Sequence, residues 1–156
     1  MSLPPFQCLL DAHGPAVHRF LIATAGSQAA EDCYQETWLA ALRDYPRLRQ
    51  PAQSRAWLLT IARSKALDHH RAQRRAPVAV PQVPDHAAEE PDPTLPEIWE
   101  RVRQLPEKQR TAVALRYLLD AAYPEMATVM GTSEAAARRN VHEGLKRLRR
   151  ETELDQ

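Results

Sequence analysis

The stretch GTSEAAARRNVHEGLKRLRRE, residues 131–151, contains the side chains in this sequence that are best suited to contact a nucleic acid. Arginine can pair bidentately with guanine, and asparagine with adenine, in the major groove of DNA. Thr132 or Ser133 can cap a helix N-terminus, whose backbone N–H groups suit a phosphate. The same residues would also form an ordinary amphipathic helix with a solvated basic face. The elements around the stretch must distinguish these two interpretations.

The residues before this stretch favour a helix–turn–helix. The sequence YPEMATVM (123–130) predicts a short helix, and Gly131 can adopt the positive φ that a tight turn requires. Ala127 is small enough for a second helix to pass closely. Ala137 and Val141 lie about one turn apart, on the side that is expected to face the core. A short helix, a glycine turn and a longer basic helix are the layout of a DNA-binding helix–turn–helix.

Charge is distributed in two basic clusters with an acidic spacer, although the formal net charge is only +1. Residues 55–75 contain six Lys or Arg against one Asp, and residues 138–150 contain six against one Glu. Residues 76–96 contain six prolines, four carboxylates and no Lys or Arg, a composition that favours an extended linker over a helix. Two basic regions joined by a tether suggest two contacts with one polyanion, although solvated helix faces would carry the same charges.

The composition favours an all-α protein, because alanine, leucine and arginine dominate and strand formers are few. Ser27 is a candidate N-cap, and Trp57 falls on an apolar stripe and is interpreted as a core residue. Besides the helix–turn–helix, the apolar period and proline positions predict helices over 4–25, 27–44, 54–75, 97–104 and 106–120. The expected architecture is two small helical domains, 1–75 and 97–156, which are joined by the Pro-rich linker 76–96.

Several classes of function have no support in the sequence. There is no apolar run of about 18 residues for a membrane span, and no signal peptide is evident. Cys8 and Cys33 are too few for a disulfide scaffold, so we expect reduced thiols and a cytoplasmic location. His69 and His70 have no accompanying ligands, so no metal site is expected. No nucleophile–base pair or phosphate loop indicates an enzyme, so neither catalytic residues nor a cofactor are predicted.

Three stretches, in matching order and spacing, resemble a known family. The sequence LPEKQRTAVALRYLLDAAYPEMATVMGTSEAAARRNVHEGLKRLR (105–149) resembles region 4 of the extracytoplasmic-function (ECF) sigma factors of bacterial RNA polymerase. The sequences AEDCYQETWLAAL (30–42) and RAWLLTIARSKALDHHRAQRR (55–75) resemble region 2 of the same family. The resemblance covers most of the chain. It implies a sigma factor that binds core polymerase and directs initiation at promoters with −10 and −35 elements.

Region 2 of this family binds the clamp helices of the largest polymerase subunit and recognises and melts the −10 element. By resemblance, the polymerase contacts are Asp32, Gln35 and Glu36, which share one face of the second helix. Acidic residues near a helix N-terminus would also simply complement the helix dipole. For the −10 element, the resemblance implies contacts from the loop before the third helix and from its outer face: Arg47, Arg49, Arg55, Ser64, Lys65, Asp68, His69 and Arg71.

Region 4 of the family reads the −35 element. The residues that the resemblance assigns to this contact are Ser133, Arg138, Arg139, Asn140, His142 and Glu143. The partners it implies are promoter DNA, core RNA polymerase including its beta flap, and an anti-sigma factor. The chain departs from the family pattern at Ser54, Ser64, Ala135, Ala136 and Glu143. The −10 base preference is therefore left open, and the −35 element is expected to differ from the commonest one in the family.

Two other interpretations remain open. A self-sufficient helix–turn–helix regulator would bind operators without polymerase, usually as a dimer, but no dimerisation helix is evident. A sigma-like decoy, held by an inhibitor protein, would bind polymerase without initiating transcription.

Overall fold

The computed structural model describes residues 3–75 and 96–154, and every regular element within these ranges is helical. The predicted linker 76–96 lies outside the described residues, except for Pro96. The α-helices of the two ranges are α1 (Phe6–Ala25), α2 (Ser27–Asp44), α3 (Ser54–Arg75), α4 (Ile98–Arg103), α5 (Glu107–Val113), α6 (Tyr123–Met130) and α7 (Glu134–Leu154). The prediction of an all-α protein is therefore confirmed.

The first three helices begin and end close to the predicted positions. The N-cap of α2 is Gly26, however, and no side chain caps this end. The capping role predicted for Ser27 is wrong, because the chain turns one residue earlier and Ser27 is already helical. Between α2 and α3, two short 3-10 turns, Tyr45–Arg47 and Pro51–Gln53, each begin around a proline.

One apolar core joins the N-terminal helices α1–α3 to the C-terminal helices. Its largest fully buried side chains come from both halves of the chain and include Phe20, Leu21, Leu58, Leu59, Leu115 and Met126. Each such side chain contributes about 1.5–3 kcal/mol relative to its exposed state. The two predicted domains therefore pack against each other through an apolar interface.

The helix predicted over 106–120 differs from the observed structure. It ends as α5 at Val113, and residues Ala114–Leu118 form a wider π-helical turn. Asp120 has a φ of 51°, and the N–H of Ala121 donates to the carbonyl of Leu115 at 2.9 Å. Aspartate is among the few residues that tolerate this left-handed region. The left-handed Asp120 ends the π-helical turn, whereas the regular α-helical ladder already ends before it, at Val113.

The turn between α6 and α7 has the predicted geometry. Gly131 lies in the left-handed region with a φ of 63° and ends α6. The Ser133 hydroxyl accepts a hydrogen bond from the N–H of Ala136 at 3.1 Å, which confirms it as the cap of the following helix. Ala137 and Val141 are buried, as expected for the inner face of α7.

Helix α7 is held against α5 by close apolar contact. A Cβ added to Gly144 would lie 2.8 Å from Cγ2 of Val113, a distance that real side chains do not tolerate. A second apolar cluster, which joins α4, α5 and α7, consists of Val102, Leu105, Val113 and Leu148. Glycine at 144 therefore sets how closely the two helices approach.

The two cysteines differ in burial. Cys8 is exposed and Cys33 is buried, and both are free thiols. Burial raises the pKa of Cys33 to about 11, so this thiol stays protonated near neutral pH. Within the described part of the chain, no helix has the length and apolar character needed to cross a membrane.

Candidate polymerase and nucleic-acid interfaces

The outer face of α2 combines carboxylates with exposed leucines. Asp32, Gln35 and Glu36 are all exposed and lie together, as the spacing predicted. Leu39 and Leu42 continue the same face with 68% and 54% of their surface exposed. These two leucines were not among the residues predicted from the sequence, although their helical spacing from Gln35 places them on this face. Contiguous exposed apolar side chains with a polar rim mark interaction sites.

The alternative role for these carboxylates, complementing the helix dipole, is disfavoured. Helix α2 begins at Ser27, and its first turn contains no acidic residue. The effect of the dipole falls off within the first turn. Asp32 and Glu36 lie beyond that turn.

A cleft of about 470 Å³ lies between the loop 45–53 and α3. Arg47 and Arg49 line it on one side, Trp57 and Thr60 line it from α3, and Thr128 of α6 completes it. The interpretation of Trp57 as a core residue is only partly right, because the ring is half-buried and also forms a wall of this cleft. An aromatic wall with guanidinium groups beside it suits an unstacked base and its phosphate.

The other residues assigned to the −10 element divide along α3. Ser64, Asp68 and Arg71 are exposed and follow one another at helical spacing, which continues the row that begins at Thr60 in the cleft. Lys65 and His69 lie beside this row and are half-buried. Arg55 lies on a different face of the helix.

Arg55 contacts the C-terminal half of the chain. Its Nη2 donates to Oε1 of Glu125 at 2.7 Å, and its Nε donates to Oε2 of the same carboxylate at 3.0 Å. Nη2 also donates to the carbonyl of Leu119 at 3.1 Å. In this arrangement the Nε and Nη2 groups of the guanidinium are engaged within the protein. A contact of these two groups with the −10 element, which stays a prediction, requires that this pair first opens.

A second ion pair joins α3 to α5. The Nε and Nη2 atoms of Arg63 donate to the two oxygens of Glu107 at 2.8 and 3.1 Å, and Nη1 donates to the carbonyl of Met130 at 3.3 Å. Thr111 donates to the same carboxylate at 3.0 Å. Burial alone would raise the pKa of Glu107, but the hydrogen bonds and charge of Arg63 outweigh it, so the pKa lies below its usual value.

His69 and His70 are adjacent in the sequence but differ in their contacts. Nε2 of His70 donates to the carbonyl of Thr24 on α1 at 2.9 Å. Burial lowers the pKa of His70, so the ring is neutral near pH 7. His69 lies beside it, with 6.0 Å between ring centroids. His70 therefore connects α3 to α1, and only His69 belongs to the predicted DNA-facing set.

Helix α7 presents its polar side chains to solvent. The exposed members of the predicted −35 set are Ser133, Arg138, Arg139, His142 and Glu143. Asn140 is half-buried, and its Nδ2 donates to the carbonyl of Ala136 at 3.0 Å, so its amide is partly engaged by the helix itself. Among the described residues, no carboxylate forms an ion pair with a cation of α7.

Two family models match the chain, one in each half. Residues 9–76 match Sigma-70 region 2, and residues 95–148 match Sigma-70, region 4. The two matches follow each other in the order that the sequence predicted.

Curated relatives align along nearly the whole chain. The RNA polymerase sigma factor CarQ of Myxococcus xanthus is 32% identical over 153 residues, which cover 92% of this chain and 87% of CarQ. The ECF RNA polymerase sigma factor SigX of Bacillus subtilis is 27% identical over 164 residues, which cover 96% of this chain and 84% of SigX. The match to the ECF sigma factor BldN of Streptomyces coelicolor, at 31% identity, spans only 59% of BldN.

Two solved structures have the same fold. The sigma factor RpoE of Bartonella quintana, in complex with the anti-sigma factor NepR, matches with a TM-score of 0.75 and 24% identity, over 97% of this chain and 98% of RpoE. CnrH, in complex with the cytosolic domain of CnrY, matches with a TM-score of 0.73 and 22% identity, over 97% and 89% of the two chains. Because two sigma-70 regions match in order and CarQ aligns at 32% identity across most of both chains, this protein belongs to the ECF sigma factors of the sigma-70 family.

Proposed function

We propose that this protein binds core RNA polymerase and directs it to promoters that carry −10 and −35 elements. The observation that carries the proposal is that one chain presents three separate surfaces with different chemistry. These surfaces are the acidic and apolar face of α2, the cleft with its arginines, and the basic face of α7. A self-sufficient helix–turn–helix regulator needs only the last of them.

The face of α2 is the proposed polymerase contact. Leu39 and Leu42 supply exposed apolar area, and the carboxylates of Asp32 and Glu36 lie beside it. Exposed apolar residues bordered by polar groups are typical of a protein interface. We propose that the clamp helices of the largest polymerase subunit occupy this face.

The cleft beside Trp57 is the proposed site for an unpaired base of the −10 element. The row of Ser64, Asp68 and Arg71 along α3 is the proposed contact for the same DNA strand. The exposed face of α7 is the proposed reader of the −35 element. Arginine contacts there would be bidentate to guanine or directed at phosphate.

We further infer that residues 1–75 form the unit for polymerase and the −10 element, that 97–156 form the unit for the −35 element, and that 76–96 join them. The matches to regions 2 and 4 support this division. RpoE and CnrH were solved with an anti-sigma factor and with the cytosolic domain of CnrY, respectively. An inhibitor protein of the anti-sigma class is therefore also a proposed partner.

The proposal is tested by transcription from fragmented genomic DNA with core polymerase of the source bacterium. The 5′ ends of the transcripts are sequenced with and without the purified protein. We expect protein-dependent starts that share two upstream motifs. Polymerase binding without new starts would favour the decoy interpretation, and the absence of polymerase binding would favour a self-sufficient regulator.

A pull-down with core polymerase tests the α2 face directly. The double variants Asp32→Ala/Glu36→Ala and Leu39→Ala/Leu42→Ala should each lose most of the binding while retaining their helical content. Asp11→Ala is the matched control, because Asp11 is an exposed carboxylate on α1. Undiminished binding by both double variants would assign the polymerase contact to another surface.

A further inference from the structure

Tyr123 contacts two guanidinium groups at the start of the first helix of the helix–turn–helix. It is the first residue of α6, and its side chain is half-buried. The Cζ atom of Arg138 lies 4.5 Å from the centre of the ring, and that of Arg116 lies 4.8 Å from it. Both distances are within the range of about 6 Å over which a cation is attracted to an aromatic face.

The two arginines differ in what else holds them. Arg116 is half-buried, and its Nη1 donates to the carbonyl of Ala121 at 3.0 Å. Arg138 is exposed on α7, and no carboxylate of the described residues forms an ion pair with it. The ring of Tyr123 is therefore the group that restricts the Arg138 side chain. Its neighbour Arg139 is also exposed and has no such ring contact among the described residues.

This restriction matters for recognition. A free arginine side chain carries about 2 kcal/mol of rotamer entropy, part of which is lost when it binds. A side chain that is already ordered loses less on binding, so pre-ordering raises affinity. The Arg138 guanidinium forms no hydrogen bond or ion pair within the described residues, so its donors remain available to a base or a phosphate.

We propose that Tyr123 is a positioning residue for Arg138, and that it holds this guanidinium in place for the −35 element. The inference rests on the proposed function, because it assigns a role within DNA recognition by α7. Tyr123 itself does not read the DNA, and its effect on affinity passes through Arg138.

The test measures binding of the complete holoenzyme to a protein-dependent promoter identified by start-site sequencing. Tyr123→Leu removes the aromatic face and keeps an apolar side chain, whereas Tyr123→Phe keeps the face. We expect Tyr123→Leu to weaken binding about two- to five-fold, which corresponds to the usual strength of an exposed cation–π contact. Tyr123→Phe should bind like the unmodified protein.

A double-mutant cycle distinguishes positioning from a general structural role. In an Arg138→Ala background, Tyr123→Leu should have no further effect on binding, whereas in an Arg139→Ala background its full effect should remain. In the free protein, NMR should show the Arg138 side-chain protons shifted upfield by the ring, and Tyr123→Leu should abolish that shift.

Three results would overturn the inference. The first is an equal loss from Tyr123→Leu in the Arg138→Ala and Arg139→Ala backgrounds. The second is an Arg138 spectrum that does not respond to Tyr123→Leu. The third is the absence of any protein-dependent start with unmodified protein, which would refute the proposed function and this inference together. In the first two cases the proposed function would stand.

Discussion

Helices α3 and α7 each carry a cluster of cations, but the structure surrounds the two clusters differently. On α3, Arg55 and Arg63 form bidentate ion pairs with Glu125 and Glu107 of the other half of the chain. On α7, no cation forms an ion pair within the described residues, and the helix is instead held by its apolar inner face. A basic cluster in a sequence therefore does not by itself indicate a surface that is open to DNA.

The difference also separates two ways of joining helices. Glu107 and Glu125 hold α3 to the C-terminal half through charges that pH and partners can change. The contact of α7 with α5 depends on close packing at Gly144, which neither a change of pH nor a charged partner would alter. Arginines held in ion pairs, as on α3, become available to a partner only when those pairs open. The cations of α7 lie opposite its packed apolar face and are already exposed.

The largest expected loss of stability comes from breaking the ion pair between Arg63 and Glu107, which is better buried than that between Arg55 and Glu125. Arg63 and Glu107 are only 19% and 23% exposed. Arg63→Met keeps the apolar stem of the side chain but leaves the carboxylate without its partner, which should lower the free energy of unfolding by about 2–3 kcal/mol. Urea unfolding measures the loss. Arg71→Met, which changes an exposed arginine of the same helix, is the control, and equal losses in the two variants would contradict a structural role for the pair.

A larger side chain at Gly144 on α7 should lower the free energy of unfolding slightly less than the loss of the Arg63–Glu107 pair. Gly144→Val places two methyl groups against Val113 and should destabilise the protein by about 2 kcal/mol, because a well-packed interface tolerates added volume poorly. Thermal unfolding measures the change, with Arg147→Val as a control for the helix propensity of valine. A variant as stable as the control would show that α5 and α7 can separate at little cost.

The ion pair between Arg55 and Glu125 should contribute less to the free energy of unfolding. Arg55 and Glu125 are 32% and 24% exposed, so solvent screens their interaction, and a double-mutant cycle with Arg55→Met and Glu125→Gln should give a coupling of about 0.5–1 kcal/mol. The exposed pair Arg43 and Asp44 is the control and should show no measurable coupling. If Arg55 contacts DNA after the pair opens, Glu125→Gln should also strengthen promoter binding. Unchanged or weaker binding would contradict a DNA contact of Arg55 that depends on opening the pair.

The smallest expected effect is the pH dependence of the stabilisation by the Arg63–Glu107 pair. The pKa of Glu107 is lower in the folded protein than its usual value, so its stabilisation is present above the usual value and is lost as pH falls through the folded-state pKa. Burial opposes the effect of Arg63, which keeps the difference small. Unfolding curves collected at decreasing pH should show a steeper loss for the unmodified protein than for Glu107→Gln. Parallel curves would contradict the assigned pair.

The helices and the helix–turn–helix could be predicted because their signals are local. Apolar residues that recur at the helical period, a glycine at 131 and a hydroxyl at 133 each act within a few residues of the chain. The failures are local as well. Ser27 was assigned as a cap one residue too late, and the sequence pattern revealed neither the π-helical turn after Val113 nor the left-handed Asp120.

The sequence by itself determined that the chain is helical, that it resembles a sigma factor, and which residues of α2 and α7 share a face, because these properties depend on spacing along one helix. Only the tertiary structure decided that Arg55 and Arg63 pair with carboxylates 70 and 44 residues away, that Trp57 forms a wall of a cleft, and that Tyr123 lies against Arg138. The physical reason is that ion pairs, clefts and ring contacts form between elements. Their partners are set by how the helices pack, which the spacing within any one helix does not specify.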